Sequence, residues 1–283
     1  MKPRLRPETT SASRALNFEV EAINERGEMV PTAIAGEHAL TLYVDKREIV
    51  TLMTMGQAPE ALAIGYLRNQ RLFGSVQEIA AVQVDWHTGS AAVTTRNAAS
   101  SADKSVRDRK RTVTSGCGRG TMFGDLMEEI DRATLRDDVV LHEETLYALL
   151  DQVRQHETIY KAAGAVHGCA LATNETGGSR ILTYVEDVGR HNAVDTIAGQ
   201  MWLESIDGSD KIFYTTGRLT SEMVIKAAQI QIPFLVSRSG LTQMGYEIAT
   251  KIGITMLART TGKHYLLLTG GHRFKKSVAP TMV

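Results

Sequence analysis

The chain has 283 residues, 43% of them hydrophobic and 23% charged, enough for one large domain or two modest ones around a sizeable buried core. Lys plus Arg is 32 and Asp plus Glu is 32, so the net charge is zero, which argues against nonspecific binding of long nucleic acid. No apolar run reaches the ~18 residues of a membrane span, and 6 Pro with 24 Gly exclude collagen-like and proline-rich architectures.

The basic start, Met1 to Pro7, has no apolar stretch behind it, so no signal peptide is read and a reducing cytoplasm is the expected compartment. Residues 1–16 read as a disordered tail. Phe18 to Ile23 alternates apolar and polar residues as a strand does, and Asn24 to Gly27 follows as a turn. Leu40 to Val44 and Ile49 to Met53 flank Asp45-Lys46-Arg47-Glu48 as a hairpin. Pro59 suits the first position of a helix, and Leu62/Tyr66 and Ala63/Leu67 recur at i, i+4, which predicts a helix over 59–70. Ile79 to Val84 and Ala91 to Thr95 read as two more strands. Residues 17–95 are therefore expected to form a small N-terminal α+β domain.

Residues 96–138 change character. They are polar and basic at first, then glycine-rich in Thr112-Val113-Thr114-Ser115-Gly116-Cys117-Gly118-Arg119-Gly120. They read as a basic linker and an exposed cysteine loop. From 139 to 275 strands alternate with helices, which implies an α/β domain with a mixed or parallel sheet, and 276–283 reads as a tail. Leu146, Leu149, Leu150 and Val153 mark an amphipathic helix. Ile181 to Val185 reads as a strand, Ala193 to Leu203 as a helix and Lys211 to Thr215 as a strand. A helix opens at Ser221, with Met223, Ala227 and Ile230 on one stripe and Glu222 paired to Lys226. Phe234 to Ser237 is a strand. The next helix is expected to be capped by Thr242, to turn Met244, Ile248 and Ile252 inward and to end at Gly253.

The chain has two cysteines, too few for a disulfide framework or a four-thiolate metal site. Cys117 lies among Gly116, Gly118 and Gly120, near Arg119 and the Arg109-Lys110-Arg111 run. Positive charge favours thiolate, the nucleophilic form. Cys169, in Val166-His167-Gly168-Cys169-Ala170-Leu171, reads as a small buried hydrophobe.

Familiar catalytic patterns are missing: there is no His-x-Glu with Pro-Cys-x-x-Cys, no phosphate loop, no Gly-x-Ser-x-Gly and no His-Glu-x-x-His. Four strand ends instead run into polar, glycine-bearing junctions. These are Glu186 to Asn192, Thr215 to Ser221, Ser237 to Gly240 and Arg259 to Lys263. Backbone N–H groups at helix starts and guanidinium forks are the chemistry that holds phosphates, at the place where open α/β sheets bind ligands.

The block Glu186-Asp187-Val188-Gly189-Arg190-His191-Asn192-Ala193-Val194-Asp195 resembles the signature of the FdhD family, the formate dehydrogenase accessory sulfurtransferases. Thr216-Gly217-Arg218, Ser221-Glu222-Met223, Lys226-Ala227-Ala228 and Ile232-Pro233 follow in family order, and Glu60 to Leu67 is similar to a helix of its first domain. The resemblance spans roughly residues 37–270. It implies an α/β fold made of a cytidine-deaminase-like three-layer domain without zinc ligands, plus the smaller N-terminal α+β domain. It also implies a function: sulfane sulfur passes from a cysteine desulfurase to Cys117. From there it goes to the molybdenum of the bis-molybdopterin-guanine-dinucleotide cofactor destined for formate dehydrogenase. The cofactor is the bound substrate, and no metal of the protein's own is expected.

The resemblance places cofactor contacts at Ala258, Arg259, Thr260, Thr261, Gly262 and Lys263. Arg190, His191 and Arg218 are added on physical grounds as phosphate or guanine contacts. A homodimer is the family expectation, with no nucleic acid or membrane partner. One departure is notable: many members carry Cys-x-x-Cys in the loop, where this chain has Cys117-Gly118-Arg119-Gly120. A competing reading is a chaperone that escorts the cofactor without transferring sulfur. A third is a hydrolase with Cys117 as nucleophile and His167 or His191 as base.

Overall fold

The structure, a computed structural model, describes residues 6–96, 135–156 and 158–277. The cysteine loop, including Cys117, lies outside the described residues. The described residues divide into two units that interleave in sequence. The first takes 6–96, 158–168 and 185–206; the second takes 135–156, 169–184 and 207–277.

In the first unit, β1 (Glu8–Thr9), β2 (Asn17–Ile23), β3 (Met29–Ala35), β4 (His38–Val44) and β5 (Arg47–Thr54) lead into α1 (Pro59–Asn69). β6 (Ile79–Asp85) and β7 (Ser90–Thr95) follow. β2 and β3 form a separate antiparallel ribbon. The main sheet has the order β1-β6-β7-β4-β5. Alternation explains it: Leu40, Leu42 and Val44 of β4 and Val50 and Leu52 of β5 point one way and are buried with Leu62, Ile64 and Leu67 of α1. α1 is buried on nearly every side because α4 (Arg190–Glu204), which comes from much later in the chain, packs against it. The short α3 (Ile159–Ala163) belongs to this unit as well.

The expected loose tail is a strap over residues 6–16. β1 runs parallel to β6, the Thr10 hydroxyl and the Ala12 N–H both donate to Glu60 Oε1 (2.6 and 2.8 Å), and Arg14 N–H donates to the Gly56 carbonyl (3.1 Å). Buried Glu60 draws this polar segment down, a partner that the segment's own composition does not reveal.

The second unit holds β8 (Leu141–His142), α2 (Glu143–His156), β11 (Ile212–Thr215), α5 (Ser221–Gln229), β12 (Phe234–Ser237) and α6 (Gln243–Ile252). β13 (Thr255–Thr261), β14 (His264–Thr269) and β15 (Phe274–Lys275) complete it. β9 (His167–Ala172) and β10 (Ile181–Asp187) contribute their residues 169–172 and 181–184. The mixed sheet has the order β10-β9-β11-β12-β13-β14. β11, β12 and β13 are parallel, while β9 and β14 run antiparallel to their neighbours β11 and β13. Leu146, Leu149, Leu150 and Val153 of α2 pack over Ala170, Ile212, Tyr214, Phe234 and Val236.

One local expectation changes. Met244 is 43% exposed, and only Ile248 and Ile252 turn inward. Thr242 does cap α6, its hydroxyl accepting from Gly245 N–H at 3.2 Å. The expected Glu222–Lys226 pair forms at 3.5 Å, with Lys226 buried and Glu222 half-buried. Arg273 is also buried and donates to the Arg136 and Gly253 carbonyls and to Thr255 Oγ1. Among the described residues no helix is long and apolar enough to cross a membrane.

Candidate functional site

In the first unit, the Glu186 to Asn192 block is not a solvated junction. β10 runs through Asp187 and α4 opens at Arg190, so two residues separate strand from helix. The buried Asp187 carboxylate accepts four hydrogen bonds. Thr54 Oγ1 (2.5 Å) and Met55 N–H (3.2 Å) donate to Oδ2; Gly189 N–H (3.0 Å) and Asn192 Nδ2 (2.9 Å) donate to Oδ1. Burial pushes this carboxyl above its ordinary range, against the downward pull of those donors. Asn192 Nδ2 also donates to the Met53 carbonyl at 2.6 Å.

Glu186 sits at the start of α3 and accepts from the backbone N–H groups of Thr158, Ile159 and Tyr160 (3.3, 2.9 and 3.0 Å) and from the Thr158 hydroxyl (3.0 Å). A carboxylate there satisfies donors that a helix start leaves open. The acidic and amide side chains of the block thus join β5, β10, α3 and α4. Arg190 and His191 are half-buried in the first turn of α4.

In the second unit, the carboxyl ends of the parallel strands form one laced edge. Thr215 Oγ1 accepts from Gly217 N–H at 3.0 Å, and Ser237 Oγ donates to the Gly217 carbonyl at 2.7 Å and accepts from Ser239 N–H at 2.9 Å. Main-chain bonds continue the lacing: Arg238 N–H to Thr215 O (3.1 Å), Leu219 N–H to Gly240 O (3.0 Å) and Arg259 N–H to Ser239 O (2.9 Å). Buried Thr215 and Ser237 therefore fix the β11–α5 and β12–α6 loops from beneath. Arg218 and Arg259 are exposed on this edge and Arg238 is half-buried.

The β13–β14 pairing slips between Ala258 and Thr261, and Arg259 adopts φ 53°. A bulge re-aims side chains, and a left-handed arginine stores strain that its surroundings must hold. Thr260, 1% exposed, keeps a hydroxyl with no partner among the described residues. At the N-cap of α5, Thr220 makes no side-chain cap, and its own buried hydroxyl also has no partner among the described residues. Guanidinium groups, an uncapped helix start and unpartnered hydroxyls on one edge can hold a polyanion.

The sequence candidates divide accordingly. Arg218 and residues 258–263 belong to the second unit, Arg190 and His191 to the first, and Cys117 lies outside the described residues. Ala258 is buried within β13; Thr261, Gly262 and Lys263 are exposed at the turn. Cys169 is fully buried, as its apolar setting predicts; its partner is not legible in the sequence. The cysteine stands opposite Thr215 in the β9–β11 register, and its thiol donates to Thr215 Oγ1 at 3.3 Å. A glycine-bearing turn after β11 pointed to this edge, but β9 carried no alternation to mark it as a strand. Among the described residues no group of three or more His, Cys, Asp or Glu side chains could hold a metal ion.

The sequence profile of the FdhD/NarQ family matches residues 35–275. Two relatives named Sulfur carrier protein FdhD are similar over most of the chain. The one from Wolinella succinogenes is 26% identical over 237 residues, covering 84% of this chain and 80% of its own. The one from Bacillus pumilus is 28% identical over 240 residues, covering 85% and 89%. A crystal structure described as a formate dehydrogenase accessory protein from Desulfotalea psychrophila superposes with a TM-score of 0.75 at 26% identity, covering 92% of this chain and 100% of that one. With its profile matched across both structural units, the chain belongs to the FdhD/NarQ family.

Proposed function

We propose that this protein is a cytoplasmic sulfurtransferase that carries persulfide sulfur on Cys117 to the molybdenum bis-guanine-dinucleotide cofactor required by formate dehydrogenase. The observation that carries this reading is the family match over 35–275, which contains the glycine-flanked Cys117 and whose relatives are named sulfur carriers. The Cys117 thiolate attacks the outer sulfur of a cysteine desulfurase persulfide, and the donor cysteine leaves as thiolate. When the cargo is in place, the Cys117 S–S bond breaks with its electron pair returning to Cys117. The outer atom then leaves as neutral sulfur and takes its pair from the molybdenum.

The polyanionic ends of the cargo fit the chemistry of Arg218 and of Ala258 to Lys263 in the second unit; Arg190 and His191, in the first, are separate candidates for such a contact. A cytidine-deaminase-like three-layer domain is the finer fold reading. The mixed sheet supports it. The proposed working form is a homodimer.

Incubation with a cysteine desulfurase and cysteine, followed by mass spectrometry, tests the carrier. The tryptic peptide bearing Cys117 gains about one sulfur mass, and Cys117→Ala abolishes cofactor sulfuration. Sulfur found only on Cys169 refutes it. Gly120, standing where many members have a second thiol, favours one further reading, escort without transfer. Full formate dehydrogenase activity after maturation by Cys117→Ala would select that reading.

A further inference from the structure

Glu143 and Tyr147 stand one turn apart on α2 and so share a face. The Tyr147 hydroxyl donates to the Lys263 carbonyl at 3.3 Å, inside the β13–β14 turn. Two residues beyond that turn, the Tyr265 hydroxyl donates to Glu143 Oε1 at 2.5 Å, and Ser277 N–H donates to Glu143 Oε2 at 3.1 Å. The Tyr147 and Tyr265 rings lie 6.4 Å apart, and Tyr265 meets Phe274 edge-on at 5.2 Å.

The β13–β14 turn is closed by the Thr261–His264 pair. At its tip Gly262 takes φ +56° with nothing among the described residues within 4 Å of the position a Cβ would occupy, and Lys263 is exposed. The Tyr147 phenol, from a different element, holds the Lys263 carbonyl at this tip, while the carboxylate beside it holds the strand that leaves the turn.

We propose that Tyr147, supported by Glu143, is a positioning residue that fixes the Lys263 end of the cofactor-binding segment and so sets where its ammonium meets the phosphates of the cargo. This rests on the proposed cargo reading. It accounts for a phenol–carboxylate–phenol cluster, remote in sequence from residues 258–263, that the sulfur-transfer steps do not use.

The experiment is a double-mutant cycle read as affinity for guanosine diphosphate by titration calorimetry, with thermal melts of each variant. Tyr147→Phe is expected to weaken binding about threefold to tenfold in the natural chain. It has no further effect in a Lys263→Ala background and leaves the melting temperature close to that of the natural chain. Loss of the same size in both backgrounds, or no loss in either, overturns the positioning role while leaving the cargo reading intact. A natural chain that gains sulfur on Cys117 yet takes no guanosine diphosphate overturns both.

Discussion

Gly65 of α1 and Gly199 of α4 face each other at a separation that no side chain fits. A Cβ at Gly65 would lie 1.7 Å from the Asp195 carbonyl oxygen and 2.7 Å from the Gly199 nitrogen. A Cβ at Gly199 would lie 1.9 Å from the Ala61 carbonyl oxygen and 2.9 Å from the Gly65 nitrogen. The obstacles are backbone, so only parting the helices could relieve them. Parting would also pull on Asn69 Nδ2, which donates to Asp195 Oδ1 at 2.6 Å, and on the Arg68 bond to the Ala198 carbonyl at 2.9 Å.

Gly65→Ala and Gly199→Ala are each expected to cost about 3 kcal/mol or more, at the upper end for overpacked sites. Gly178→Ala is the control, because nothing lies within 4 Å of its added methyl. Urea titrations compare the three. Gly65→Ala unfolding at the same midpoint as Gly178→Ala would show that the helices tolerate separation.

The Asp187 carboxylate accepts two donors on each oxygen, and Asp187→Asn turns one oxygen into a donor facing donors. A buried donor left without an acceptor costs about 1–3 kcal/mol. With two such donors stranded, the loss is expected at about 2–6 kcal/mol, on the same principle. Thermal melts at neutral pH check it. Because α4 begins three residues later, the variant should also raise amide exchange in the first turn of α4.

These two relationships mark where the sequence stops being legible. Alternation in Leu40 to Val44 and the Pro59 start of α1 are local signals, and both elements stand where the pattern puts them. Glu186 and Asp187 look like ligand-facing groups because their donors, at Thr54, Met55 and residues 158–160, are distant in the chain. The strap over 6–16 hides for the same reason, since Glu60 supplies its acceptor. The bulge at Arg259 hides because arginine carries no preference for positive φ; only the pairing of β13 with β14 forces it. The glycine-bearing turns after β11 and β12 were legible, because the turn that follows a parallel strand needs such residues.

Glu143 titrates with a defined sign. The Tyr265 hydroxyl holds its carboxyl below the usual glutamate range, against a smaller opposing effect of burial. An acid whose folded value is depressed contributes stability above its unfolded value and loses it as pH falls through the folded one. The stability difference between the natural chain and Glu143→Gln is therefore expected to be full at neutral pH. It should shrink on acidification below the ordinary glutamate range. Melts from neutral to acidic pH measure it, and a difference that grows on acidification contradicts the assignment.

Arg259 permits strain and charge to be separated in one position. Its φ of 53° costs an arginine about 1 kcal/mol that a glycine does not incur. Arg259→Gly keeps the main-chain N–H that donates to the Ser239 carbonyl, so the laced edge stays closed. The variant is expected to be as stable as the natural chain or more so by about 1 kcal/mol. It should also bind guanosine diphosphate about tenfold more weakly and with a shallower dependence on salt, because a guanidinium has been removed from the anion edge. Arg259→Lys keeps charge without the fork and the strain without relief, so it should recover part of the affinity and none of the stability. Calorimetry at two ionic strengths beside thermal melts reads both axes. Stability and affinity falling together in Arg259→Gly would mean that the bulge serves the fold alone.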